Sequence, residues 1–273
     1  MSLLEVKKLS VIDTRSGQQI VQDLNFTLKE NSCLGIVGES GSGKSITARA
    51  ILGLTSPWLD VTGEAIFNGM NLIGQSNGVM RKIRGQQVCM ILQDAMTAFN
   101  PLNTIGRQMS ETFRENLGVK KKLAIDMAKV ALHRVHIHHP EQVLKMYPHQ
   151  LSGGMLQRVM ISIVIMMEPD IIIADEPTTA IDSINQRDIV EQLKLLRELT
   201  GTSIIFISHD LGVVQYLSDE LLVMQNGKCL EYGKTNEVFS SPKHGFTKYL
   251  INTRLSLTEP FQQSMTSGVL SCL

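Results

Sequence analysis

The sequence has no excess of charge, no closely spaced cysteines, no long apolar run and no internal repeat, and each absence removes a class of protein. Lysine plus arginine balance aspartate plus glutamate at 26 each, so the formal net charge is zero. A chain that wraps nucleic acid needs a broad basic surface to displace counterions, and no nucleic-acid partner is expected here. The four cysteines, Cys33, Cys89, Cys229 and Cys272, lack the short spacings that hold zinc or an iron–sulfur cluster, and they read as reduced thiols of a cytoplasmic protein. Glu5, Lys7 and Lys8 interrupt the stretch that a secretory signal would keep apolar. The most apolar stretch, Val159 to Met167, contains Ser162 and stops at Glu168-Pro169, well short of the roughly 20 residues that cross a bilayer. If the protein works at a membrane, another chain must span it. The 273 residues suffice for one large domain or one domain with an inserted lobe.

What is present is an alternation of strand and helix signals. LLEV and QIVQDLNFTL, around an SGQQ turn, read as strands of an N-terminal β part. Cys33 to Val37 is a short apolar run that leads into GESGSGKS and then into the helical spacing of ITARAILGL. Val88 to Leu92 is a further strand, and the stretch from Asn100 to Lys145 is rich in helical periodicity, which places a mostly helical lobe inside the α/β body. From Asp170 onward IIIAD, Ile184 to Leu199, SIIFIS and Leu211 to Leu217 alternate again, as a mainly parallel sheet covered by helices requires. Asn226-Gly227 between two apolar runs predicts a closing hairpin, and the residues after Leu250 predict a loosely held tail.

Two segments carry chemistry. Gly38, Glu39, Ser40, Gly41, Ser42, Gly43, Lys44 and Ser45 fit the phosphate-loop pattern G-x-x-x-x-G-K-[ST], with a strand before it and a helix after it. Glycines let backbone N–H groups turn inward on phosphates, the helix N-terminus adds its dipole, Lys44 reaches the β and γ phosphates, and the Ser45 hydroxyl ligates Mg²⁺. The run from Ile171 delivers Asp175 and Glu176 to the C-terminal end of a strand, where ligands of open α/β sheets bind. Asp175 is expected to hold Mg²⁺ through water and Glu176 to orient and deprotonate the attacking water.

With those two segments, LSGGMLQR at Leu151 to Arg158 resembles the signature of the ABC ATPases, and the resemblance extends over about residues 3 to 250. It implies an ABC-type nucleotide-binding domain over residues 1–250, with a helical subdomain inserted at about 94–160 and a tail at 251–273. It further implies that ATP and Mg²⁺ are bound, that Gln93 is the Q-loop glutamine contacting Mg²⁺, and that His209 is the switch histidine on the γ-phosphate. Ser152 and Gly154, in a signature that also includes Gly153 and Gln157, would serve ATP held by a facing subunit. Asp182 would be the D-loop aspartate. The residues AFNPL, MYPHQLSGGMLQR, ADEPTTAID and SPKHGFTKYL are similar to the branch that imports peptides, nickel and metal-binding opines. Leu156 resembles the nickel and metallophore ATPases more than the peptide importers, which often continue into a cysteine-bearing extension where this chain has only Cys272.

The implied assembly contains a second, related ATPase, two transmembrane permeases and an extracytoplasmic substrate-binding protein, with this chain peripheral on the cytoplasmic face of the cell (inner) membrane. Import of nickel or a metal chelate is the favoured function, with peptide import as the alternative. A non-transport ABC protein would more often show two cassettes or a coiled-coil insertion. The sequence departs from the family in having no aromatic between Met1 and Asn25 to stack on adenine, which leaves that place to Ile12 or a neighbour. Ile46 and Ile181 replace the usual threonine and leucine without removing a catalytic group. His133, His136, His138 and His139 invite a metal reading, but no fixed carboxylate or thiol accompanies them, and a partly exposed helix end is the simpler expectation. Met155, Met160, Met166 and Met167 are read as packing and the Lys120 to Lys122 run as a solvated helix start.

Overall fold

The computed structural model describes residues 2–178 and 183–254, and these divide into one unit built from residues 2–84 with 203–254 and another built from 85–178 with 183–202. In chain order the first unit opens with β1 (Ser2–Asp13), β2 (Gln19–Lys29), β3 (Cys33–Gly38), α1 (Lys44–Ile51), β4 (Leu59–Phe67), β5 (Met70–Asn71) and α2 (Asn77–Ile83). The second unit holds β6 (Val88–Ile91), α3 (Ile105–Leu117), α4 (Lys121–Arg134), α5 (Pro140–Val143), α6 (Gly153–Met167), β7 (Ile171–Asp175) and α7 (Ser183–Thr200). The chain returns to the first unit as β8 (Ser203–Ile207), α8 (Leu211–Leu217), β9 (Glu220–Gln225), β10 (Lys228–Lys234), α9 (Thr235–Ser240) and α10 (Gly245–Arg254).

The N-terminal β part is an antiparallel sheet in the order β2-β1-β4-β5. Its centre, β1, could not bury both of its apolar pairs with a regular pleat, because Leu4 and Val6 differ in parity from Leu9 and Val11. A β-bulge resolves this. Between the pairs Val6↔Phe26 and Leu9↔Leu24 on one side, and Lys7↔Glu64 and Ser10↔Thr62 on the other, β1 carries one residue more than either neighbour. Lys8 sits there with φ 49°, its N–H donating to Asn25 Oδ1 at 2.9 Å. The outcome is that Leu4, Val6, Leu9 and Val11 are all buried. Strand β4 escaped sequence reading, because only Ala65 and Phe67 of LDVTGEAIF are buried and Gly63 interrupts its pattern.

In the first unit the second sheet has the order β10-β9-β3-β8. Strand β3 runs parallel to both β8 and β9 and is buried at all six residues, as an apolar strand covered on both faces should be. The expected hairpin is present between β9 and β10, with Asn226 and Gly227 both at positive φ, 49° and 77°. In the second unit β6 and β7 pair in parallel from Val88↔Ile171 to Ile91↔Ala174. The helical lobe there packs α4 against α3 and α6. Ala124, Ala128 and Ala131 on α4 are small enough to bring the helices close around Met109 and Phe113 of α3 and Val159 and Met160 of α6, all of them buried. The architecture is the expected α/β one, with a mainly parallel sheet and an antiparallel N-terminal part.

The bulge gives a stability prediction. Gly63 opposes it with φ 97°, and an added Cβ would lie 2.4 Å from the Lys8 carbonyl oxygen. Gly69 has φ 79° with nothing within 4 Å of the same position. Gly63→Ala is therefore expected to lower the urea or thermal midpoint by the equivalent of about 2–3 kcal/mol, and Gly69→Ala by only about 1 kcal/mol. Equal losses would mean that the bulge tolerates a methyl group.

Candidate nucleotide-binding and hydrolysis residues

The phosphate-loop sequence follows β3 without an intervening residue. Gly38, the last residue of β3, has φ 156°, and a Cβ there would meet the Met224 carbonyl oxygen at 2.2 Å and Ser42 Oγ at 2.8 Å. Glycine is required because the loop turns against the backbone of β9. The loop closes around Lys44, whose side chain is only 6% exposed. Its Nζ donates to the carbonyls of Gly38 at 3.0 Å and Glu39 at 2.8 Å and to Ser42 Oγ at 3.4 Å. Helix α1 begins at this lysine, with Thr47 Oγ1 donating to the Gly43 carbonyl at 2.9 Å.

Support for the loop comes from residues that sequence reasoning did not single out. The Gly227 N–H of the β9–β10 hairpin donates to the Ser42 carbonyl at 3.1 Å, and its own carbonyl accepts from the Gln22 N–H at 2.8 Å. The phosphate loop is thus fastened to β2 through a turn that lies far along the chain. Beyond that strand, Arg15 lies over the ring of Trp58 at 4.5 Å and forms an ion pair with Asp13 at 2.9 Å. Ile12, considered above for the adenine side, is half-buried in β1.

His209 follows β8 and is exposed. The next residue, Asp210, caps α8 by accepting from the N–H groups of Gly212 at 2.9 Å and Val213 at 3.3 Å, and its own N–H donates to Ser208 Oγ at 3.0 Å. These bonds fix the backbone on which His209 is carried.

The second unit carries Gln93, the signature and the paired acids. Strand β7 is buried throughout and ends on Asp175, 1% exposed; Glu176 follows in the left-handed region at φ 47°. Gln93 Nε2 donates to Glu176 Oε2 at 3.3 Å, so the structure brings together two residues 83 positions apart that were assigned to one site. Ser152 is the N-cap of α6 and accepts from the Met155 N–H at 3.3 Å; Ser152 and Gly153 are exposed and Gly154 is half-buried. A 15-residue helix presents there the partial positive charge of its unpaired N–H groups. Gln157, one turn on, is 1% exposed and donates to the Leu92 carbonyl at 3.0 Å. Asp182 and Ile181 lie outside the described residues.

The histidines at 133, 136, 138 and 139 are all exposed. Among the described residues no group of three or more His, Cys, Asp or Glu is placed to hold a metal ion. Met160 and Met167 are buried in α6. The thiol of Cys89, buried in β6, is pushed up to about 12 by desolvation, which makes it inert as a nucleophile at neutral pH. Among the described residues no helix is long and apolar enough to cross a membrane.

The family profile described as ABC transporter matches residues 21–179, a span that includes the phosphate loop, Gln93, the signature and Asp175-Glu176. This chain belongs to the ABC transporter family. It is an ATP-binding, ATP-hydrolysing transporter subunit. The metal-staphylopine import system ATP-binding protein CntD of Staphylococcus aureus is 40% identical over 269 residues, 98% of this chain and 99% of that protein. The oligopeptide transport ATP-binding protein OppD of Haemophilus influenzae is 44% identical over 247 residues, 90% of this chain and 76% of that protein. Among solved structures, a dimeric ATP-binding cassette in a post-hydrolysis state, bound to ADP and Pi, shares the fold with a TM-score of 0.77 at 24% identity, covering 85% of this chain and 98% of that one.

For this ABC ATPase, Lys44→Ala removes a buried point charge and leaves the Gly38 and Glu39 carbonyls without their ammonium donor. ATP affinity is expected to fall by about 10- to 150-fold, the equivalent of about 1.5–3 kcal/mol for a charge-assisted contact. Titration of the purified variant with labelled ATP measures this, and unchanged affinity would remove Lys44 from the phosphate site.

Proposed function

We propose that the chain is the ATP-hydrolysing subunit of an importer of nickel or of a metal–chelate complex. The observation that carries this reading is the alignment with the metal-staphylopine import subunit along 98% of this chain. Leu156, at a signature position where peptide importers usually carry arginine, supports the same branch. Import of oligopeptides is the second reading, and the higher identity to OppD, 44%, favours it.

In either case the reaction is one phosphoryl transfer. Lys44 and the loop glycines hold the β and γ phosphates of ATP, Glu176 takes the proton of the attacking water, and His209 donates a hydrogen bond to the γ-phosphate. Ser45, Gln93 and Asp175 supply a hydroxyl, an amide oxygen and a buried carboxylate, which are the hard oxygen donors that Mg²⁺ takes, so the residues present fit that ion. Bound Mg²⁺ neutralises charge on the β and γ phosphates. Ser152 and Gly154, at the open end of α6, receive the γ-phosphate of ATP held by a second, related ATPase, and Asp182 is the D-loop aspartate. The domain responsible comprises residues 1–250, and its helical part at about 94–160 transmits motion to two permeases at the cytoplasmic face of the cell membrane, fed by an extracytoplasmic binding protein. A groove of about 730 Å³ in that part is lined by Arg107, Arg114, Lys121, Lys129 and Lys145 together with Glu111 and Glu141, which pair with Arg107 and Lys129.

Glu176→Gln tests the chemical step. Glutamine keeps the shape and one acceptor but loses basicity, so turnover of the variant assembled with its partner should fall by roughly 10²- to 10⁴-fold while ATP stays bound in a closed dimer. Turnover at the unmutated rate would mean that another group is the base. Cargo is tested by growth of a strain lacking this chain. Loss of growth on limiting nickel or nickel chelate, restored by the unmutated protein and not by Glu176→Gln, is expected. Restoration seen only on limiting peptide would replace the metal reading with the peptide one.

A further inference from the structure

Gln157 is the polar side chain that the reaction described above leaves without work. It lies on α6, five residues past Ser152, and is 1% exposed among the apolar residues of that helix. Its Nε2 donates to the Leu92 carbonyl at 3.0 Å, whereas its Oε1 is enclosed and has no partner among the described residues. A buried amide with one unmet acceptor is less stable than an apolar side chain of the same size, so its packing alone does not account for it. What it does hold is informative. Leu92 precedes Gln93, and Gln93 Nε2 donates to Glu176 Oε2 at 3.3 Å. A chain of two hydrogen bonds thus runs from the α6 helix to the Glu176 carboxylate just beyond β7.

We propose that Gln157 is a positioning residue that ties the ATP-facing end of α6 to the hydrolytic base. The proposal rests on the reading of Ser152 and Gly154 as the end that meets the opposite ATP and of Glu176 as the base. Helix α6 moves as a rigid rod over the roughly 7.5 Å of axis between Ser152 and Gln157. A phosphate drawn onto its N-terminus therefore displaces the Gln157 amide, and the Leu92 carbonyl follows because the amide's donor is fixed on it. The last link is the one able to give. At 3.3 Å the Gln93–Glu176 bond is at the long end of the hydrogen-bond range, and Glu176 already stands in a left-handed conformation. Donation from Gln93 holds the Glu176 carboxylate aside, and its withdrawal lets that carboxylate turn toward the attacking water when the second ATP has arrived. Hydrolysis is thereby timed to the closed pair of subunits.

Gln157→Met keeps the volume and removes both amide groups, and Gln157→Glu keeps an acceptor but loses the donor to Leu92. In the full chain assembled with its partner ATPase, both are expected to lower kcat about tenfold, the size that one buried hydrogen bond allows. ATP affinity of the isolated chain should stay within about twofold, because the Lys44 loop is untouched. KM for ATP should stay in place while kcat falls, since Gln93 is no longer drawn away from Glu176 when the pair of subunits closes. A purely structural fault would weaken ATP binding along with kcat and would add in full to the loss from Gln93→Ala. In a double-mutant cycle, adding Gln157→Met to Gln93→Ala should cost little beyond Gln93→Ala alone; fully additive losses would overturn the proposal. If Gln157→Met folds poorly, as its melting midpoint would reveal, Gln157→Glu in the same cycle decides the matter. The failures are separable: normal turnover by Glu176→Gln sinks the underlying assignment of the base, while a stalled Glu176→Gln beside unaffected Gln157 variants sinks only the coupling.

Discussion

The burial of the Lys44 ammonium is the constraint to which the first unit is built. A cation 6% exposed must be given oxygen partners before any ligand arrives, or its desolvation would unfold the loop. The carbonyls of Gly38 and Glu39 supply them, which requires the chain to double back at once after β3. That reversal is possible only because Gly38 has no Cβ to strike the Met224 carbonyl, and it is held because the Gly227 hairpin donates to the Ser42 carbonyl. The loop is therefore preorganised by β9 and by the hairpin, and through Gln22 by the antiparallel sheet. Such preorganisation spares the binding of ATP the entropy of ordering a glycine-rich segment.

The bulge in β1 belongs to the same chain of causes. Without the extra residue at Lys8, Leu9 and Val11 would face water, and the strand that pairs with Val21 would lose its hold on the core. Gly43 of the loop would carry a Cβ 3.3 Å from a Val21 methyl group, which shows how closely β2 approaches the phosphate loop. A conformational irregularity in the N-terminal sheet thus reaches the nucleotide-binding residues through one strand pairing and one van der Waals contact.

What could be read from the residues was whatever a local rule governs. The phosphate loop, the apolar strands at Cys33 and Ile171, and the Asn226-Gly227 hairpin all declare themselves within a few positions, because glycine, lysine and β-branched residues act there through backbone sterics and burial. Strand β4 did not, since only Ala65 and Phe67 in it are buried and its place is set by pairing with β1. The bond from Gln157 to Leu92 spans 65 positions, and the one from Gly227 to Ser42 still more; nothing in either segment marks the other as its partner. The four histidines lie exposed at and just beyond the end of α4, with His136 and His139 in the left-handed region.

The chemical groups share one placement, at the C-terminal ends of parallel strands that are buried from end to end. Lys44 follows β3, Asp175 and Glu176 end β7, and His209 follows β8. The arrangement divides labour along each strand: the apolar residues immobilise the backbone, and the first residues beyond it are free of the ladder and can aim at a ligand. Glu176 makes the division visible. Asp175 is still in the strand and is shut away at 1% exposure, while one residue later the backbone flips to φ 47° and brings the next carboxylate out to half-exposure beside Gln93. A non-glycine residue held in that region costs of order 1–3 kcal/mol, and the strain persists because the buried strand before it over-determines the geometry. Rigidity in β7 is thus converted into a fixed orientation for the Glu176 carboxylate, while its neighbour Asp175, identical in charge, is kept dry.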